Sequence, residues 1–399
     1  MKAGFSLYVH IPFCLQKCPY CDFNTYAQAT FPEREYLSAL LAELDYRATL
    51  PEWRGKVVNS IYFGGGTPSL FSPSSIGKFI SAVVKSFPID DQIEISLEAN
   101  PGTISTENIA GFREAGINRL SLGAQSFQHS VLRSLGRAHT SEQIITAVEL
   151  SRLHGITNLS LDLMYGTPGQ TMALLGADID QIIELDPPHV SAYGLTIEKG
   201  TPFYTSYKKG ILKLPKEEIV VEMMEYIALR LAQVGIDQYE ISNFAKIGRQ
   251  AKHNLAYWNG ASYLGLGAGA HSFSRAVGTY GKRWSNLALP AKYIDQVISH
   301  GLAESWSETL DLQNSIFERF FLGLRKNSGV NLEELEREYA LSFESVYGTT
   351  LLPLIDGGYI EINDKYLRLT QKGLPLADTI IEEFVRFDQK IISHSPKAA

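Results

Sequence analysis

Cys14, Cys18 and Cys21 are the only cysteines in 399 residues, and all three fall in the stretch Phe13-Cys14-Leu15-Gln16-Lys17-Cys18-Pro19-Tyr20-Cys21-Asp22-Phe23. The C-x3-C-x2-C spacing supplies three thiolates, one fewer than the four that close a [4Fe–4S] cubane. An iron without a protein ligand can bind something else, so the loop reads as a reactive centre. Zinc is the competing reading, completed by a histidine or an aspartate. Zinc sites, however, are built from paired C-x2-4-C half-sites, and the chain has no second half-site. An odd cysteine count argues against a secreted disulfide framework. Reduced thiols in a cluster loop point to a reducing compartment, and the expected location is cytoplasmic.

Other residues with chemical potential sit at comparable places along the chain. Gly64-Gly65-Gly66-Thr67-Pro68 is a turn in which backbone groups can approach a ligand where a Cβ would collide; it also reads as a plain strand-to-helix turn. Glu98, in Glu98-Ala99-Asn100-Pro101-Gly102, can pair with a ligand cation or cap a helix. Gln125 and Asp162 present the acceptors that a ribose diol needs. Arg137 can grip a carboxylate in a bidentate fork, or serve as a surface arginine. Tyr8 is a strand residue that is core unless its face meets a ligand.

The elements that must position these groups alternate regularly. Strand-type runs are predicted at Ser6–Ile11, Val57–Phe63, Gln92–Glu98, Arg119–Gly123, Asn158–Met164 and His189–Leu195, with a further one at Gln238–Ile241. Helical periodicity fills Glu33–Ala48, Ile76–Ser86, Thr106–Ala115, Ser141–His154, Met172–Leu185 and Lys216–Val234. Such alternation means βαβ units and a parallel sheet, either doubly wound or an open barrel related to the (β/α)8 fold. Five successive strands end in chemically loaded loops, and in parallel α/β folds those ends form one rim. The core is therefore expected at residues 1–241.

Beyond it, residues 242–309 form an extension holding His253-Asn254-Leu255-Ala256-Tyr257-Trp258 and the small-residue run Gly265–His271. Residues 310–390 read as a separate α+β unit resembling a winged helix. It has helices at Ser315–Arg325, Leu332–Tyr339 and Phe343–Ile355, then a hairpin of Tyr359–Ile362 and Tyr366–Leu369. Residues 391–399 read as a tail. Acidic residues outnumber basic ones in this last unit and the net charge of the chain is −7, so no basic footprint for nucleic acid exists. At 45% hydrophobic and 20% charged residues the composition is that of a globular protein. No run reaches the ~18 apolar residues of a membrane span, and Met1–Tyr8 lacks the apolar core of a signal peptide.

Taken together, Tyr8-Val9-His10-Ile11-Pro12-Phe13-Cys14, the cysteine loop, the glycine turn, Glu98–Gly102, Gly123-Ala124-Gln125-Ser126-Phe127 and Leu161–Gly166 resemble the coproporphyrinogen-oxidase-like branch of the radical S-adenosylmethionine (SAM) superfamily. The resemblance runs through nearly the whole chain. It implies a partial (β/α)6 TIM-like barrel with a small C-terminal winged-helix-like domain. It implies a [4Fe–4S] cluster on Cys14, Cys18 and Cys21, with SAM contacted by Tyr8, Gly66, Thr67, Glu98, Gln125, Arg137, Asp162 and Thr196.

Two activities exist within that branch. The oxygen-independent coproporphyrinogen III dehydrogenase carries a fourth cysteine two residues after the third, where this chain has Phe23, and a long arm ahead of the first strand. The HemW-type haem chaperones resemble the dehydrogenase but bind haem for delivery to respiratory proteins. His253-Asn254-Leu255-Ala256-Tyr257-Trp258 is similar to their H-N-x-x-Y-W signature. By that likeness His253, Asn254, Tyr257 and Trp258 bind haem, with His10 and His271 as secondary candidates; His10 is also expected to brace the cluster loop. Read without the likeness, His253 is more simply a satisfied structural histidine beside core aromatics. The expected partners are haem and a haem-accepting respiratory protein. Turnover of SAM, a peripheral membrane contact and a homodimer are left open. Each of Cys14→Ser, Cys18→Ser and Cys21→Ser is predicted to abolish the cubane, read by iron and sulfide analysis with EPR. Full cluster occupancy in any one mutant would contradict the assignment.

Overall fold

The computed structural model describes residues 4–385. The predicted alternation is present: β1 (Gly4–Ile11), α1 (Glu33–Thr49), β2 (Val57–Gly65), α2 (Pro73–Ser86), β3 (Ile89–Ala99), α3 (Thr106–Ala115), β4 (Arg119–Gln125), α4 (Ser141–Leu153), β5 (Asn158–Tyr165), α5 (Met172–Leu185), β6 (His189–Gly194) and α6 (Glu217–Ala232). Helix starts carry their own signals. Ser105 and Thr140 form capping boxes with Asn108 and Gln143, and Ser72 and Thr171 cap α2 and α5.

Strands β1 to β6 pair in parallel in their order along the chain. A doubly wound sheet would reverse direction at a switch point; here none occurs, and the sheet is an open, barrel-like wall. The strand predicted at Gln238–Ile241 is β7 (Asp237–Glu240), which does not continue the parallel series. It pairs antiparallel with β8 (Asn243–Ala245), itself antiparallel to β6.

After α7 (Lys252–Trp258), the chain crosses to the other edge. There β9 (Tyr263–Leu266) lies parallel to β1, followed by antiparallel β10 (His271–Ser274), β11 (Lys282–Asn286) and, after α8 (Pro290–His300), β12 (Glu304–Thr309). Residues 242–309 thus extend both edges of one twelve-stranded sheet. The small-residue run read from the sequence supplies β9 and its tight turn, because a Cβ on Gly265 would meet the His271 carbonyl at 2.0 Å.

The last unit has its own core of Ile316, Phe320, Leu335, Tyr347, Leu367 and Phe384. It comprises α9 (Leu312–Gly323), α10 (Leu332–Tyr339), α11 (Phe343–Asp356) and the hairpin β13 (Ile360–Asn363) and β14 (Tyr366–Leu369), as expected. The predicted tail at 391–399 lies outside the described residues. No helix among the described residues is long and apolar enough to cross a membrane.

One buried carboxylate ties the extension to the core. Glu43 on α1 accepts hydrogen bonds from the Gly267 N–H at 3.1 Å, the Tyr293 hydroxyl at 2.7 Å and Asn286 Nδ2 at 2.8 Å, with Arg47 at 3.7 Å. Burial raises its pKa, against the pull of Arg47 and these donors. Removing one member of such a set leaves the others unpaired in a dry site. Glu43→Ala is predicted to lower stability by about 3–5 kcal/mol in chemical denaturation, and Glu43→Gln by less. A loss below about 1 kcal/mol for the alanine variant would contradict the anchoring role.

Candidate functional site

The carboxyl ends of the parallel strands enclose a cavity of about 670 Å³. At its edge the chain leaves β1 and enters the cysteine loop. The glycine turn after β2 clamps that entry: Gly66 N–H donates to Ile11 O and Thr67 N–H to Phe13 O, each at 2.8 Å. A Cβ on Gly65, whose φ is +117°, would lie 2.6 Å from the His10 ring, and one on Gly66 2.6 Å from Phe13 O. The glycines therefore admit the protein's own first strand, a requirement that the ligand-approach reading did not contain. His10 Nε2 donates to Asn24 O at 2.9 Å, which fixes Nδ1 as the acceptor of the Tyr8 hydroxyl at 3.0 Å.

All three cysteines line the cavity. The Thr67 hydroxyl lies 3.4 Å from Cys14 Sγ, and Arg137 Nη1 3.7 Å from Cys18 Sγ. Burial pushes the Cys14 and Cys21 thiols up. No trio of His, Cys, Asp or Glu side chains among the described residues converges closely enough to hold a single metal ion. A polynuclear cluster needs no such convergence, since each thiolate binds a different iron.

The opposite wall is acidic. Glu98 accepts the Tyr62 hydroxyl at 2.8 Å and the Gly65 N–H at 3.0 Å. Burial, with the nearby Asp162 charge, raises its pKa to about 7 despite these donors. Asp162 accepts from Ser121 at 3.0 Å and Ser160 at 3.1 Å; burial lifts it to about 6. Two carboxylates with raised pKa values on one wall gain by meeting a cation. Gln125 ends β4 at φ +65°, a left-handed conformation rare for a side-chain-bearing residue, and faces the same cavity. Arg137 donates Nη2 to Gly123 O at 2.8 Å, while its buried Nε has no partner among the described residues.

Gly66, Thr67, Glu98, Gln125, Arg137, Asp162 and Thr196 thus line one cavity with the three cysteines. Tyr8 stands behind that wall, its ring stacked on Tyr62 at 6.2 Å. His253 departs further from expectation. It lies inside the sheet's concave face, only 1% exposed, with Nδ1 2.9 Å from Ser60 Oγ and Nε2 3.0 Å from the Tyr257 hydroxyl. Its ring stacks on Tyr62 at 5.0 Å, and burial drives its pKa down to about 3. The position outside the core read from the sequence is corrected: both ring nitrogens are engaged and neither is free for iron. Of its neighbours, Asn254 lines the cavity, and Trp258 is half-buried with an unpartnered indole N–H.

Several lining residues escaped the sequence reading: Tyr62, Arg119, Ser121 and His189 among them. A signal for some existed. Arg119, Ser121 and Gly123 alternate with leucine and alanine along β4, and Asn158, Ser160 and Asp162 alternate with leucine along β5. That period of two marks a polar inner face.

Residues 8–183 match the radical SAM superfamily and residues 310–376 the HemN C-terminal domain. The chain is 38% identical over 383 residues to the heme chaperone HemW of Bacillus subtilis, covering 95% of this chain and 99% of that one. It is 33% identical over 390 residues to the heme chaperone HemW of Escherichia coli, covering 95% and 98%. The chain belongs to the HemW family of radical SAM proteins. Among solved structures it resembles coproporphyrinogen III oxidase (HemN) of Escherichia coli, described as a radical SAM enzyme. That likeness has a TM-score of 0.82 and 26% identity, covering 96% of this chain and 90% of the other.

The cavity fits the ligands of the superfamily. Three thiols stand on one side, a half-free arginine suits a carboxylate, and the carboxylates suit a sulfonium or ammonium. Asp162→Asn and Arg137→Ala are each predicted to weaken SAM binding ~10- to 150-fold, the cost of one charge-assisted hydrogen bond, with the cluster retained. Because burial pushes the Glu98 pKa up to about 7, SAM affinity should also fall as pH drops from 8 to 6 and its carboxylate is protonated. Anaerobic equilibrium dialysis reads both effects. Unchanged affinity in both mutants would contradict this arrangement of the rim.

Proposed function

We propose that the protein is a haem chaperone, carrying a [4Fe–4S] cluster on Cys14, Cys18 and Cys21 and a SAM site in the adjoining cavity. The carrying observation is identity of 33–38% to proteins named heme chaperone over 95% of the chain. Phe23 adds support: it stands where the dehydrogenases of the branch carry a fourth cysteine, and it is 63% exposed at the cavity mouth.

When bound, the cluster and SAM would supply a one-electron centre and a cleavable sulfonium. The chain's own groups act by binding and orientation. Thr67 and Arg137 bring N–H and O–H groups to the thiols, and Glu98 and Asp162 hold negative charge opposite them. Gln125, Arg137, Asp162 and Thr196 would fix the nucleoside and the amino-acid end. In this reading the H-N-x-x-Y-W helix α7 frames the haem site. Its N-terminal amides are held by the Glu94 carboxylate, at 3.2 Å from Lys252 N and 3.1 Å from His253 N. His253 locks the helix against Ser60, leaving Trp258 and Asn254 for contact. A haem-accepting respiratory protein is the expected recipient, met in the cytoplasm.

The test offers anaerobically reconstituted protein haem and coproporphyrinogen III in parallel. Stable haem binding without vinyl formation is expected. Protoporphyrinogen formation would identify the dehydrogenase instead, and absence of haem uptake would end the chaperone reading.

A further inference from the structure

Gln125, one of the groups proposed for the nucleoside, is held in an unusual backbone shape. Among the described residues, five that carry side chains have positive φ. Asp186 and Ala340 end helices, and Asp364 and Lys365 turn the hairpin, places where a left-handed residue is ordinary. Gln125 ends a parallel strand instead. Its φ is +65°, and the Ser126 N–H donates to Ala124 O across it at 2.8 Å. A positive φ under an i to i+2 hydrogen bond marks a γ-turn of the rare, strained kind. The ladder registers it: Leu122 pairs with Leu161 but Gln125 with Leu163, so three steps of β4 span two of β5.

Such a turn persists only where its surroundings over-determine it, and two buried groups do so. On one side His139 Nε2 donates to Ala124 O at 3.0 Å. On the other stands Asp178 of α5, a fully buried carboxylate that does not line the cavity. It accepts the Ser126 hydroxyl at 2.8 Å, the Phe127 N–H at 2.7 Å and Gln128 Nε2 at 3.3 Å. The Gln128 N–H closes back on Ser126 Oγ at 3.0 Å. Burial raises the Asp178 pKa to about 6 against the pull of these donors, so at neutral pH it is an ionised acceptor. Leu175, Ile179 and Ile182 of the same helix lie in the main core, which makes the anchor rigid. A carboxylate serving only to tie helix to sheet could take donors anywhere along the contact. Asp178 directs all of these bonds at the three residues that follow Gln125.

The consequence lies in the side chain. A Cβ on Gly123 would stand 3.1 Å from Gln125 Nε2 and 3.2 Å from Arg137 Nη2, so the turn folds the carboxamide back beside the guanidinium, over a residue with no side chain. We infer that Asp178 is a positioning residue of the SAM site. From outside the cavity it holds residues 126–128, and thereby fixes the Gln125 carboxamide next to Arg137, where a ribose hydroxyl can pair with it. The inference rests on the SAM reading above and adds to it a residue that touches no ligand.

The experiment is a double-mutant cycle on SAM affinity in the anaerobically reconstituted protein, with Gln125→Ala, Asp178→Ala and the pair, and with cluster iron measured on each. Gln125→Ala should weaken SAM binding ~2- to 12-fold, the cost of one neutral hydrogen bond, and Asp178→Ala by no more than that, with cluster iron unchanged. Because Asp178 acts through Gln125, the double variant should bind no more weakly than Gln125→Ala, a non-additivity that a merely structural role would not give. Asp178→Asn, which keeps an acceptor for the Phe127 N–H, should recover most of the affinity. Ser126→Ala removes the other end of the tie, should act in the same direction, and carries the cycle if Asp178→Ala does not fold. Losses that multiply in the double variant would overturn the inference while leaving the SAM reading intact. So would wild-type affinity in Asp178→Ala or, should that variant not fold, in Ser126→Ala. A wild-type protein that binds no SAM would overturn both.

Discussion

The hydrogen bond from His10 to the carbonyl of Asn24, at 2.9 Å, closes the cysteine loop on the strand that launches it. Everything between those residues, including all three thiols, hangs from that closure. It works because Gly65 has no side chain to displace the imidazole and because Asn24 is itself bonded to carbonyls of the loops around β9 and β11. Tyr36 completes the collar, donating to His10 O and accepting from Ala268 N, both at 2.8 Å. A loop of this length has little reason to hold one shape alone. Docked at both ends onto buried backbone, it presents its cysteines to one cavity.

The cavity draws its electrostatics from the same constraint. Strand order places Glu98 and Asp162 on the inner faces of β3 and β5, where partial desolvation makes a carboxylate costlier to ionise. Hydroxyl and amide donors hold them only part-way toward the charged form. With the Glu98 pKa raised to about 7 and that of Asp162 to about 6, a bound cation would favour the ionised pair. Arg137 completes the pattern from the loop after β4, with one face on Gly123 and Cys18 and its Nε still unpaired.

Much of this was legible in the sequence. The six parallel strands were found to within a few residues, because their apolar runs end in glycine, proline and polar residues that stop a strand. Part of the rim was legible for the same reason: Gly66, Glu98, Gln125 and Asp162 sit at strand ends that parallel topology gathers, whereas Thr67 and Thr196 came from the family resemblance alone. What local pattern could not carry was long-range pairing. Nothing near His253 announces that Ser60, almost two hundred positions earlier, accepts it into the interior, or that Glu94 holds the start of its helix. Nor does the glycine-rich run at 265–269 look like a strand. It becomes one only because β1 offers an open edge.

If Cys14, Cys18 and Cys21 each hold one iron of a [4Fe–4S] cluster, as proposed, the fourth iron is left without a protein ligand and open to SAM. Mössbauer spectroscopy of protein reconstituted with isotopically enriched iron tests it most directly, with and without SAM. One iron distinct from three thiolate-ligated ones is expected, with only that iron's parameters changing when SAM is added. Four equivalent irons, or a spectrum indifferent to SAM, would contradict it.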